Sequence, residues 1–191
     1  MRAMTILGSP RRHGNTAKVL DWVEEQLRSD GCEIDRVNVV DYDLGGCREC
    51  LTCKKGGPDL CLIDDDANGL FLRMVEADLV LIAAPVFCWG FPAQIKGLID
   101  RFYCLMDFDS PRTDLPRLHG KPISLLLTAG GERIDNADLV FRGFTQMVKL
   151  LRARSAGDWF VGDCTVPEAL CERVREGAIE FAKSLVEKIS T

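Results

Sequence analysis

Residues 78–85 read DLVLIAAP, apolar almost from end to end and too short to be a helix of its own. Alternating polar and apolar residues would mark a strand with one wet face, whereas an unbroken run marks a strand buried on both. Such a strand needs helices above and below it, and the rest of the chain supplies them. Strand-like runs at 3–8, 33–40, 78–85, 121–130 and 155–162 alternate with helical patterns at 15–29, 64–77, 93–106, 136–151 and from about 167 onward. In the first helix Val19, Leu20, Val23 and Leu27 recur at three-to-four-residue spacing, and Leu170, Val174, Phe181, Leu185 and Ile189 trace the inner stripe of the last. Asp64, Asp65 and Asp66 fall at a helix start, where the dipole favours carboxylates. The alternation predicts a three-layer α/β sandwich, a five-stranded parallel sheet in one domain over 1–191, for which 2-1-3-4-5 is a common doubly wound order. Two connections, 41–63 and 107–120, are longer than a compact domain needs, which points to function or an interface.

Composition narrows the classes. The net charge of −5 and the lack of a Lys/Arg run argue against nucleic acid as partner. The longest uncharged run, 79–95, is just short of a spanning helix and is broken by Pro85, Gly90 and Pro92, so no membrane segment is expected. The opening MRAMTILGSP lacks the apolar core and cleavage site of a signal peptide, which makes a reducing cytoplasm the default compartment. Nine cysteines there are not a disulfide framework.

The first strand runs into GSPRRHGNT and then a helix, the position at which an open α/β sheet binds an anion. Ser9, Asn15 and Thr16 offer donors, Arg11 and Arg12 add charge, and Gly8 and Gly14 relax the backbone around a phosphate. A capped loop in which Asn15 or Thr16 merely starts the helix is the plainer alternative. No G-x-x-x-x-G-K-[ST] and no G-x-G-x-x-G occurs, so the anion should be small and terminal, as in a mononucleotide. His13 shares this loop but reads as solvated rather than catalytic. In a 2-1-3-4-5 sheet, the loops APVFCWGFP and TAGGER open on the same side. Phe87, Trp89 and Phe91 suit a planar ring system, and the bare amides of Gly130 and Gly131 can approach ring carbonyls closely.

The stretch CRECLTCKKGGPDLC carries Cys47, Cys50, Cys53 and Cys61. Two successive two-residue gaps let one loop wrap three corners of a cubane cluster, as ferredoxin-type runs do, with Cys61 the fourth corner and Gly56, Gly57 and Pro58 turning the chain back. Zinc prefers two pairs on a longer arm. Spacing favours a [4Fe–4S] cluster and leaves unligated thiols as the alternative. Cys32, Cys88, Cys104, Cys164 and Cys171 have no spacing logic and read as small buried hydrophobes.

Together, GSPRRHGNT, the DDD ahead of a helix, PVFCWGFPAQIKGLIDR and the glycine pair after the fourth strand resemble the NAD(P)H-dependent FMN reductase superfamily, with its flavodoxin-like fold. The cysteine segment resembles that of the iron–sulfur flavoproteins within it. The resemblance implies that Ser9, Arg11, Arg12, Gly14, Asn15 and Thr16 surround the FMN phosphate. Pro85, Val86, Phe87, Cys88, Trp89 and Gly90 would line the isoalloxazine, and Ala129, Gly130 and Gly131 would meet its far edge. It further implies ferredoxin or NAD(P)H as electron donor, a quinone or another small acceptor, and a homodimer or homotetramer. Two departures stand out: Phe87 replaces a usual Tyr, and the seven residues between Cys53 and Cys61 exceed the usual gap. A cluster-free NAD(P)H-dependent FMN or quinone reductase and a non-catalytic flavodoxin-like carrier are the competing readings.

Overall fold

A computed structural model describes residues 1–55, 60–106 and 117–189. Five parallel strands form one sheet, as the alternation predicts, in the order β2-β1-β3-β4-β5 expected of a flavodoxin-like fold: β1 Arg2–Leu7, β2 Glu33–Asn38, β3 Leu79–Pro85, β4 Pro122–Thr128 and β5 Arg154–Val161. β3 lies between β1 and β4, and its residues 79–84 are fully buried, which is why its sequence lacks alternation. β2 and β5 are the edges and carry mixed polar patterns. Asp35 of β2 pairs with Arg2 and Arg73, and charge on an edge discourages pairing with another chain.

Two apolar cores flank the sheet. Helices α1 (Asn15–Ser29) and α5 (Glu172–Ile189) bury Val19, Leu20, Val23, Phe181 and Leu185 against one face. Helices α2 (Ala67–Glu76), α3 (Ala93–Asp100) and α4 (Asp138–Leu150) bury Leu70, Phe71, Ile95, Leu98 and Phe144 against the other. Ser124 is a polar intruder inside β4; its hydroxyl donates to the Gly157 carbonyl at 2.8 Å. A register shift beside it skips Ala156, and Gly157 takes the left-handed φ of 112° that this irregularity requires.

Several ends differ from the sequence expectation for local reasons. α2 starts at Ala67 rather than 64, because Asp65 and Asp66 turn their carboxylates onto the N–H groups of Gly45 and Asp43. α3 stops at Asp100 and tightens into a 3-10 turn over Arg101–Leu105. α5 starts at Glu172, and Pro167 opens a separate short turn, Pro167–Ala169. No helix among the described residues is long and apolar enough to cross a membrane. The turn expected at Gly56, Gly57 and Pro58, and residues 107–116 of the second long connection, lie outside the described residues.

Candidate functional site at the carboxyl edge of the sheet

The loops that follow β1, β3, β4 and β5 are knitted together by backbone hydrogen bonds. Gly8 N–H donates to Ala83 (2.7 Å), Val86 N–H to Thr128 (2.8 Å), Ala129 N–H to Val161 (3.0 Å) and Cys164 N–H to Ala129 (2.8 Å). Behind the first loop, α1 begins at Asn15 with Gly14 as its cap, and among the described residues no side chain caps its first-turn amides. Those N–H groups carry the positive end of the helix dipole. Arg11 is exposed and makes no ion pair among the described residues, whereas Arg12 pairs with Asp41. Ser9 is buried, and its hydroxyl accepts the Arg11 N–H at 3.1 Å.

Asn15 and Thr16 occupy the expected positions but spend their side chains on the fold. The Asn15 amide donates to the carbonyls of Cys164 (3.2 Å) and Val166 (2.8 Å). The Thr16 and Thr128 hydroxyls share a buried hydrogen bond of 2.7 Å that ties α1 to β4. What either residue keeps for an anion is its backbone N–H.

After β3 the chain makes a tight two-residue turn. Phe87 and Gly90 exchange backbone hydrogen bonds of 3.0 and 2.9 Å, and Cys88 and Trp89 between them sit at φ 46° and 58°. Two consecutive left-handed non-glycine residues are a costly way to build such a turn. The turn pushes side chains outward: Phe87 is 45% and Trp89 60% exposed, and the Trp89 indole N–H donates to the Asp135 carbonyl at 3.2 Å. Across the rim lie Ala129, Gly130 and Gly131; a Cβ on Gly130 would sit 2.7 Å from Thr165 Cγ2.

The cysteine loop lies beyond this edge. Cys47, Cys50, Cys53 and Cys61 all line one cavity of about 410 Å³, together with Arg101, Tyr103 and Cys104. Left-handed Glu49 and Leu51 (φ 51° and 57°) bend the chain between the first three thiols, and a 3-10 turn over Thr52–Lys54 carries Cys53. Cys61 is gripped by Asn68, which accepts its N–H at 3.1 Å and donates to its carbonyl at 2.8 Å. A hydrogen bond from Thr52 lowers the Cys50 pKa, while burial raises that of Cys53. Among the described residues no three metal-ligating side chains converge into a finished metal centre.

Sequence reasoning left two features out. Cys104 is buried in the same cavity, where desolvation pushes its thiol up to about 12. Arg101, in an apolar helix tail, is fully buried against Asp65, so Asp65 serves as a counter-ion as well as a helix-start residue. An arginine amid LIDRFYCLM was the available signal. Of the five cysteines expected to be buried, Cys32, Cys104 and Cys164 are, but Cys88 and Cys171 are exposed, one on the turn after β3 and the other just ahead of α5.

Sheet order and loop placement make this a flavodoxin-like sandwich whose first loop opens onto a helix N-terminus. The sequence profile of the NADPH-dependent FMN reductase family matches residues 1–160, and the chain belongs to that family. It is 36% identical over 121 residues to an iron–sulfur flavoprotein of Archaeoglobus fulgidus, covering 63% of this chain and 51% of that protein. It is also 36% identical over 101 residues to an iron–sulfur flavoprotein of Methanosarcina thermophila, covering 53% and 52%. The chain therefore spans about half the length of these curated relatives. Among solved structures, RosB with bound 8-demethyl-8-formylriboflavin-5′-phosphate superposes with a TM-score of 0.76 at 17% identity, over 100% of this chain and 79% of the other. The kinship expected from the motifs is the one found.

Proposed function

We propose that the chain is an FMN-dependent electron-transfer oxidoreductase of the iron–sulfur flavoprotein type, one flavin-binding domain over 1–191 with a cluster-binding insertion at 41–63. The observation that carries this reading is the gathering of Cys47, Cys50, Cys53 and Cys61 around one cavity beside a buried arginine with unpaired N–H groups. Four thiols are the donor set of a [4Fe–4S] cluster, and buried N–H donors suit its sulfurs.

On the flavin side, Arg11 and the uncapped amides of Asn15 and Thr16 supply positive charge for a terminal phosphate, with Ser9, Arg12 and Gly14 shaping the loop. Pro85, Val86, Phe87, Cys88, Trp89 and Gly90 offer an exposed aromatic wall. Ala129, Gly130 and Gly131 offer backbone without bulk. When bound, the flavin supplies two-electron storage and the cluster one-electron transfer. Ferredoxin or NAD(P)H would be the donor, a quinone or similar small molecule the acceptor, with the protein acting in the cytoplasm as a homodimer or homotetramer.

Protein purified under nitrogen tests this directly. The expected result is about one flavin with about four iron and four sulfide per chain, and an absorbance spectrum showing both chromophores. Colourless protein that stays colourless after incubation with FMN would sink the reading. The spread of the thiols, no three of which converge among the described residues, favours a second reading: a cluster-free NAD(P)H-dependent FMN or quinone reductase. Flavin without iron or sulfide, combined with NAD(P)H oxidation by a quinone, would select it.

A further inference from the structure

Arg101 is enclosed completely, its side chain at 0% exposure, and it lines the cavity that the four cysteines share. Its Nη1 donates to Asp65 Oδ1 (2.7 Å) and to the Gly45 carbonyl (3.3 Å). Asp65 in turn accepts N–H bonds from Gly45 (2.9 Å) and Ala67 (3.1 Å). The pair thus clasps the start of the cysteine loop to its end, 20 residues apart. Only part of the guanidinium takes part. Nε and Nη2 are buried with no aligned hydrogen-bond partner among the described residues, a costly state for a charged donor. Cys61 and this guanidinium line the same cavity, and the thiol is close enough to act on the guanidinium electrostatically.

Other cations nearby are spoken for or in water. Lys54 donates to the Met106 carbonyl and sits 5.0 Å from the Tyr103 ring centre. Arg48 is exposed, where solvent screens its charge. Arg101 is the buried positive charge among the cavity-lining residues.

We propose that Arg101 is a positioning residue for the cluster: its unpaired N–H groups hold the Cys61 sulfur as a bound thiolate, and its buried charge raises the cluster's reduction potential. This rests on the iron–sulfur reading above. Reduction adds one electron from the reductant to the cluster, with no bond broken and no proton moved, so the cluster becomes more negative. A fixed cation and N–H donors at the ligand sulfur favour that reduced form.

The test compares three reconstituted proteins: wild type, R101K and the charge-balanced D65N/R101Q. Each is assayed for iron, sulfide and flavin, for iron release to a chelator, and for midpoint potential by dithionite titration followed by electron paramagnetic resonance. For D65N/R101Q we expect unchanged flavin and a roughly tenfold loss in the reduction equilibrium, a midpoint about 59 mV more negative. Iron release should be about tenfold faster, the scale of one charge-assisted hydrogen bond. R101K, which keeps the charge but loses the planar fork, should fall between and keeps the test readable if the double variant fails to fold. A flavin-loaded variant that cannot retain iron also supports the role. Unchanged potential and release in variants carrying a full cluster would overturn it and leave the iron–sulfur reading standing. A wild type that takes up no stoichiometric iron and sulfide would remove both.

Discussion

The rim that faces the expected flavin and the loop that carries the cysteines are held in place by different means. Rim loops hang from the sheet: the bonds of Gly8 to Ala83, Val86 to Thr128 and Ala129 to Val161 extend its hydrogen bonding past the strand ends. Among the described residues the cysteine loop is tethered mainly by side chains: the Asp65–Arg101 ion pair, Asp66 on the Asp43 N–H, Lys54 on the Met106 carbonyl and Asn68 on Cys61. A rim of this kind is preorganised before any ligand arrives, whereas the loop brings its thiols around a cavity with no three of them closed on a centre among the described residues. On the iron–sulfur reading, cluster binding would also be the final folding step of the loop, as is usual for metal sites without a preformed core.

Breaking one region without the other is the sharpest check on this contrast. Cys50→Ser should abolish stoichiometric iron while leaving flavin content unchanged, measured on one anaerobic preparation; parallel loss of flavin would mean the two regions are not separable. Asp65→Ala comes next in size. Stranding a buried guanidinium should cost about 3–5 kcal/mol in urea unfolding. The same carboxylate gives a pH signature. Burial works to raise its pKa, but hydrogen bonds from Arg101, Gly45 and Ala67 win and hold it below the ordinary value. Asp35 is likewise lowered, chiefly by its hydrogen bond from Arg73. Both therefore contribute stability that is complete above about pH 4 and lost as pH falls through their folded-state values. Wild type should weaken on acidification below that point, and Asp65→Ala should weaken less steeply from its lower start.

Rim variants should act more gently. Thr16→Val leaves the Thr128 hydroxyl buried without a partner, at about 1–3 kcal/mol, and adding Thr128→Val should recover most of the loss. No recovery in the double variant would mean that the hydroxyls serve something other than each other. Smallest is the turn after β3. Replacing Cys88 and Trp89 by Asn-Gly, the pair such a turn prefers, should stabilise the fold by about 1 kcal/mol. It should also weaken FMN binding, read by flavin fluorescence quenching; unchanged binding would remove Trp89 from the aromatic wall.

The parallel sheet, the first loop and the aromatic loop after β3 were legible from residue patterns, because buried strands and amphipathic helices write their periods directly into the chain; the strand order came with the family resemblance. The Arg101–Asp65 clasp was not legible, since its members stand 36 residues apart, Arg101 at the start of the 3-10 turn after α3 and Asp65 ahead of α2. Nor was the engagement of Asn15 with the 164–166 segment, which lies 149 residues away at its nearer contact.

Local pattern alone settled which segments are strands, which are helices and where the thiols cluster, because burial and periodicity act over a few residues. Tertiary packing decided which polar groups are satisfied and which stay unpaired, because that depends on distant partners arriving at the same point. Arg101 is the residue at which the two diverge: an unremarked cation in the chain, and a fully buried charge beside the cysteine cavity in the fold.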